Sequence, residues 1–152
     1  MDIHFRELNA NDLELAHELL DCFGQAFEDE VSYEQQRPDA AYLQALLGND
    51  GIIALVALVS NHVIGGLVAY ELRKLEQHRS EFYIYDLAVT SPYRRQGVAT
   101  GLIKALKPIA RERGAWVIYV QADQNDEPAV TLYTQLGVRE DVLHFDIPVV
   151  DP

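Results

Sequence analysis

The stretch Phe82-Tyr-Ile-Tyr-Asp-Leu-Ala-Val-Thr-Ser-Pro-Tyr-Arg-Arg-Gln-Gly-Val-Ala-Thr-Gly-Leu-Ile103 joins an apolar strand to a helix through a turn containing Arg94-x-x-Gly97-x-Ala99. A helix that begins near Gln96 or Gly97 presents several backbone N–H groups without intrahelical partners, at the positive end of its dipole. Gly97 lets the chain approach a ligand closely, and Ala99 is too small to block it. A turn of this construction suits a pyrophosphate.

Outward from that turn the chain alternates strands and helices. Ile3–Leu8 alternates as a first strand, and Asn11, with Glu14 three residues on, reads as the cap of a helix carrying Leu13, Leu15, Ala16, Leu19, Leu20, Phe23 and Phe27 at helical spacing. The acidic run Glu28-Asp29-Glu30 ends it. A second helix is expected from Pro38 or Asp39 to Leu47, stopping at Gly48, and the apolar runs Ile52–Val59 and Val63–Leu72 read as a hairpin around Ser60-Asn61-His62. After a polar loop come a strand over Glu81–Val89 and a long helix over Gly97–Arg113, in which Pro108 should mark a kink or the last turns, closed by Gly114. Trp116–Gln121 reads as a buried strand, Pro128–Leu136 as a helix closed by Gly137, and Val142–Ile147 as a last strand ended by Pro148.

The turn resembles motif A of the GNAT acetyltransferase superfamily, and the order of elements is that of its fold. Asp126-x-x-Ala129-x-x-x-Tyr133-x-x-x-Gly137 resembles the same superfamily's motif B, with Asp126 and Val138 where Asn and Phe are usual. The resemblance spans the chain and implies an α/β (α+β) domain over residues 1–152. Its central sheet would be mixed and mostly antiparallel, of about six or seven strands, splayed between the fourth and fifth and flanked by about four helices.

The resemblance also implies roles. The backbone of Leu87, Ala88 and Val89 would pair with the pantetheine arm of acetyl-coenzyme A, and the Leu87 N–H would face the thioester oxygen as charge develops there. Arg94, Arg95, Gln96, Gly97, Val98, Ala99 and Thr100 would surround the pyrophosphate, with Asp126 and Ala129 completing the coenzyme site. Tyr133 would protonate the departing sulfur, a sensible task for a phenol of pKa about 10.

An alkyl amine acceptor is mostly protonated at neutral pH, so a general base is needed. Asp123, at the end of the fifth strand, is the first candidate, followed by Asp146, Asp86 and Glu81; each could equally be a solvated or substrate-anchoring group. Tyr83 and Tyr85 alternate on one strand face and would wall the acceptor cleft, and Glu28, Asp29 and Glu30 are either a solvated loop or part of that cleft. His4, His17, His62, His78 and His144 show no paired ligand spacing, so no metal site is expected. Cys22, the single cysteine, excludes an internal disulfide and reads as a core residue.

Within the superfamily, Tyr83–Val89, Arg94–Gly97, Val117–Asp123, Asp126–Val130 and His144–Ile147 resemble the type I aminoglycoside 3-N-acetyltransferases. That resemblance implies transfer of acetyl to the 3-amino group of a 2-deoxystreptamine ring, direct and without a covalent enzyme intermediate. The charge agrees with it: 24 Asp and Glu against 12 Lys and Arg give −12, which argues against nucleic acid and for a cationic small molecule. Arg94, Arg95, Lys104 and Lys107 supply the local basic patch an anionic coenzyme needs. The alternatives are acetylation of a polyamine or a protein amine, or a coenzyme A-binding sensor without chemistry. With no long apolar run and no leader, no membrane partner is expected and a cytoplasmic location is; a second copy of the chain is a further candidate partner.

Overall fold

Residues 2–151 are described by a computed structural model, and the chain divides into two units between Gln121 and Ala122. In the first unit β1 (His4–Glu7), β2 (Ile52–Val59), β3 (His62–Arg73), β4 (Ser80–Val89) and β5 (Ala115–Val120) form one sheet in sequence order. Every neighbouring pair is antiparallel except β4–β5, which is parallel. The β2–β3 hairpin turns on Ser60 and Asn61, both with positive φ (50° and 65°), the conformation that follows the twist of the flanking strands.

Helices α1 (Leu13–Ala26), α2 (Ala40–Leu47) and α3 (Val98–Glu112) complete the unit. The run Ile53–Leu58 is buried on both sides of the sheet. Ala54, Val56 and Leu58 pack with Leu19, Cys22 and Phe23 of α1, so the alternate residues Ile53, Leu55 and Ala57 face the other way. On that second face lies α3: Ala57 pairs with Phe5, and a Cβ on Gly101 would sit 2.3 Å from the Phe5 ring. A side chain at 101 would therefore force the Phe5 ring to shift. Leu102, Leu106 and Phe82 are fully buried, and each contributes roughly 1.5–3 kcal/mol through the apolar surface removed from water. Cys22 is a core residue, and burial pushes its thiol up to about 11.

The β4–β5 ladder runs from Ser80↔Ala115 to Ile84↔Val120, whereas β4 continues to Val89. From Tyr85 onward β4 is paired by β3 alone, so the sheet opens where the fourth and fifth strands part.

Several local expectations need correction. Asp12, not Asn11, is the N-cap of α1, and no side chain caps it. The Asp12 carboxylate instead accepts from the Asn9 N–H at 2.8 Å and from the Arg6 guanidinium. A π-helical turn over Val31–Gln35 follows the acidic run. Pro108, as expected, falls within the last turns of α3, which continues to Glu112. Gly114 sits one residue past the cap with φ +80°, the left-handed geometry that glycine supplies at a helix end.

In the second unit α4 spans Glu127–Leu136, with Pro128 in its first turn. The expected strand over Val142–Ile147 is absent: among the described residues nothing after β5 is a strand, and the sheet has five strands rather than six or seven. Alternation supplies a face to bury, but a strand also needs a backbone partner for its N–H and C=O groups.

Candidate active site

At the start of α3, Gly97 is the N-cap with φ +80°, and Arg95 before it also has positive φ, 62°. No side chain caps the helix, and the Gly101 N–H is bonded to the Gly97 carbonyl at 2.9 Å. The first-turn N–H groups of Val98, Ala99 and Thr100 therefore have no helical carbonyl to meet. A Cβ on Gly97 would meet nothing within 4 Å, so the space in front of the turn is open. Arg94 is tied by its Nε to the Val89 carbonyl (2.9 Å), and Gln96 donates from Nε2 to the Pro92 carbonyl (3.1 Å). These bonds shape the loop, while Arg94 and Arg95 stay exposed beside it, as do Lys104 and Lys107 on α3. A concave set of free N–H groups with nearby cations suits a pyrophosphate.

Leu87, Ala88 and Val89 pair with Leu67, Gly66 and Gly65 of β3. Gly65 allows that approach, since a Cβ there would lie 2.9 Å from the Ala88 carbonyl oxygen. Their other edge faces the gap left by β5, where an extended ligand backbone can hydrogen-bond as a strand would.

Just before that gap the β3–β4 ladder breaks register: Val68 pairs with Asp86 and Ala69 with Ile84, so Tyr85 is the extra, bulged residue. Strict alternation would put Asp86 on the face opposite Tyr85; the bulge resets the phase. The Asp86 carboxylate accepts from the Tyr33 hydroxyl at 3.3 Å, and its charge acts on the Tyr33, Tyr70 and Tyr83 hydroxyls. Burial raises the Asp86 pKa above the ordinary carboxylate value, and the Tyr33 bond only partly offsets this. Tyr33 in turn is pushed up to about 12, by burial first and by Asp86 next.

Around Asp86 the tyrosines form a wall. Tyr83 and Tyr119, in register on β4 and β5, stack at 4.7 Å; Tyr85 meets Tyr83 at 5.7 Å and Tyr70 at 6.1 Å. The Tyr83 hydroxyl donates to Gln121 at 2.9 Å. Asp29 holds the turn that carries Tyr33, its carboxylate accepting from the Ser32 N–H at 3.1 Å and its carbonyl from the Tyr33 N–H at 3.3 Å. Glu28, with φ +52°, and Glu30 flank it, both exposed. The face is thus aromatic and acidic, which suits a polycation.

In the second unit Asp126 caps α4, its carboxylate accepting from the Ala129 N–H at 3.3 Å, and its own N–H bonds the Asp123 carbonyl at 3.0 Å. Asp123 is exposed. Tyr133 is half-buried on α4; burial, with a smaller contribution from the Asp126 charge, pushes its hydroxyl up to about 12. Asp146 is exposed and bonded to His144 at 2.8 Å.

Residues 13–138 match the acetyltransferase (GNAT) family model. The chain belongs to that family. An aminoglycoside acetyltransferase from an uncultured soil metagenomic sample is 53% identical, with 99% of this chain and 100% of that one covered at a TM-score of 0.97. A second enzyme of that description, solved in complex with sisomicin, is 31% identical, with 97% of each chain covered and a TM-score of 0.85. N-alpha-acetyltransferase 30 of Schizosaccharomyces pombe is 33% identical over 87 residues, which is 55% of this chain and 55% of that protein. The chain spans about half the length of the curated relatives it matches.

In this GNAT chain sequence reasoning reached Tyr83, Tyr85, Asp86 and the acidic run but missed Tyr33, Tyr70, Tyr119 and Gln121. The Tyr83–Tyr119 stack was hidden by a register shift: aligning the two strands from Ser80 and Ala115 sets Tyr83 against Ile118, and the irregularity between Ser80 and Glu81 brings Tyr119 opposite it. Tyr33 was hidden because a π-helical turn has no periodic signature and its partner is 53 residues away.

Proposed function

We propose that this GNAT chain, acting as one domain in the cytoplasm, transfers acetyl from acetyl-coenzyme A to the 3-amino group of a gentamicin-type aminoglycoside, and so protects its host from the drug. The likeness to the soil aminoglycoside acetyltransferase over nearly the whole chain carries this reading. The tyrosine and carboxylate face around Asp86 supports it, since a polyamino sugar finds there both ring faces and negative charge.

Acetyl-coenzyme A supplies the activated acetyl group. Its pyrophosphate is held by the open N–H groups from Val98 to Thr100, with Arg94 and Arg95 beside them, and its pantetheine arm runs along Leu87–Val89. The Leu87 N–H steadies the carbonyl oxygen as it gains charge. Asp86 takes the proton from the acceptor amine, because a carboxylate with a raised pKa is a stronger base. Asp123 is the second candidate for that task. Tyr133 gives its proton to the thiolate.

A second reading, acetylation of a protein amine, is favoured by the likeness to an N-alpha-acetyltransferase; acetylation of a polyamine is its small-molecule counterpart. Nuclear magnetic resonance of the gentamicin product separates the readings at the level of the atom. Acetyl on the 3-amino nitrogen supports the proposal, acetyl on a 6′-amine refutes the regiochemistry, and no aminoglycoside product with ready acetylation of peptide N-termini or spermidine moves the function to the second reading.

A further inference from the structure

We propose that Arg37 is a positioning residue for the acceptor face: it ties the π-helical turn to α1 so that the Tyr33 hydroxyl stays on the Asp86 carboxylate. In the π pattern a carbonyl accepts from the N–H five residues on, as Val31 does from Gln36 at 3.1 Å. For Tyr33 the fifth residue is Pro38, which has no N–H to give. A side chain takes its place, and the Arg37 Nε donates to the Tyr33 carbonyl at 3.0 Å. Pro38 also disfavours helical backbone at the residue before it, so the helical run stops short of Arg37.

The other two nitrogens of the guanidinium face α1. Nη2 donates to the Asp21 carboxylate at 2.7 Å, and Nη1 lies 3.5 Å from His17 Nδ1, which accepts because arginine has only donors. His17 and Asp21 are one helical turn apart, and Gly24 continues the same stripe. A Cβ on Gly24 would sit 3.2 Å from the Tyr33 Cβ, and the Phe23 and Phe27 rings lie 6.0 Å and 5.8 Å from the Tyr33 ring. α1 therefore receives the turn at two places, the tyrosine ring at one and the arginine head at the other. Ring packing is non-directional, whereas charge-assisted bonds from a planar fork fix an orientation. The 3.3 Å reach from the Tyr33 hydroxyl to Asp86 needs that orientation. The Arg37 side chain is only 20% exposed, so water competes little for its bonds. The consequence for turnover rests on the reading of Asp86 as the base; the contacts themselves do not.

The test reads the Asp86 carboxyl directly, by nuclear magnetic resonance of the full chain labelled with carbon-13 aspartate, its signal assigned by its loss in Asp86→Asn. Tyr33→Phe removes the bond that lowers the Asp86 pKa, so the titration moves to higher pH. Arg37→Met, which keeps an apolar stem and removes the guanidinium, is expected to move it the same way and to add nothing further in the Tyr33→Phe background. Loss of a cation alone would raise the titration equally in both backgrounds. Tyr70 and Tyr83, whose hydroxyls also feel the Asp86 charge, are untouched by either change. Should Arg37→Met fail to fold, Asp21→Asn is read in its place. Loss of that negative charge alone would move the Asp86 titration down, so an upward shift reports the release of Arg37. An Asp86 titration that stays in place, or a shift that persists in full in the Tyr33→Phe background, would overturn the inference. Wild-type turnover in Asp86→Asn would instead remove the reading of the base and leave the titration result standing.

Discussion

The Tyr33 hydroxyl lies 3.3 Å from the Asp86 carboxylate, joining a π-helical turn to a β-bulge across 53 residues of sequence. Burial raises the carboxylate's pKa and this bond lowers it, so Tyr33 sets how far that carboxylate is tuned. Tyr33→Phe removes the donor and leaves the burial. The acid limb of the kcat/KM profile is then expected to move to higher pH, with the plateau value little changed. A limb that stays in place would mean Asp86 does not govern it.

Asp86→Asn should lower turnover on the order of 10²-fold or more, the scale of losing a positioned base. The defect should shrink at high pH, where the amine deprotonates unaided. Stability should move the other way. Because the folded-state pKa of Asp86 is raised, its linkage favours folding below the unfolded carboxylate pKa, and that contribution is lost as pH rises through the folded value. The variant should thus melt higher than wild type at about pH 7, with the gain vanishing in acid; calorimetry across pH checks it. Asp123→Asn run in parallel shows which carboxylate carries the pH-dependent loss.

Gly97→Val puts a branched side chain where φ is +80° and where the space in front of the helix is open. Strain in the left-handed region should cost the fold about 1–2 kcal/mol, and the side chain would project into the phosphate's approach. Calorimetric titration of the folded variant with coenzyme A should find binding weakened at least tenfold. Unchanged affinity would remove the phosphate-cradle reading.

With its hydroxyl pushed up to about 12, Tyr133 keeps its proton at neutral pH and can serve as an acid. Tyr133→Phe should leave both substrates bound and reduce turnover on the order of 10²-fold. Wild-type turnover at every pH would show the hydroxyl to be structural.

Acceptor affinity should fall as salt rises, because attraction between a polycation and exposed carboxylates such as Glu28 and Glu30 is screened beyond about 8 Å at physiological ionic strength. Binding titrations across a salt series check this, and a flat response would place the recognition in the tyrosines alone.

Much of this architecture was legible in the residues. The hairpin around Ser60-Asn61, the strand into Arg94-x-x-Gly97-x-Ala99 and the apolar stripe of α3 each carry a local signal, either a period or a residue that a backbone geometry demands. The acceptor face was harder to read. Period-2 alternation assigns Asp86 to the wrong side of β4, because a bulge at Tyr85 depends on register with β3 and leaves no mark in the β4 sequence itself. The segment Val142–Ile147 shows the opposite failure: its alternation is clear, yet alternation supplies no backbone partner, and the segment forms no strand.

The most direct measurement follows free-thiol release from acetyl-coenzyme A with gentamicin, spermidine and peptide amines offered one at a time. The account predicts release that depends on the acceptor, is strongest with aminoglycosides bearing a free 3-amino group, and is lost in Asp86→Asn at neutral pH. Release that is indifferent to the aminoglycoside, or seen only with spermidine or a peptide, would contradict it.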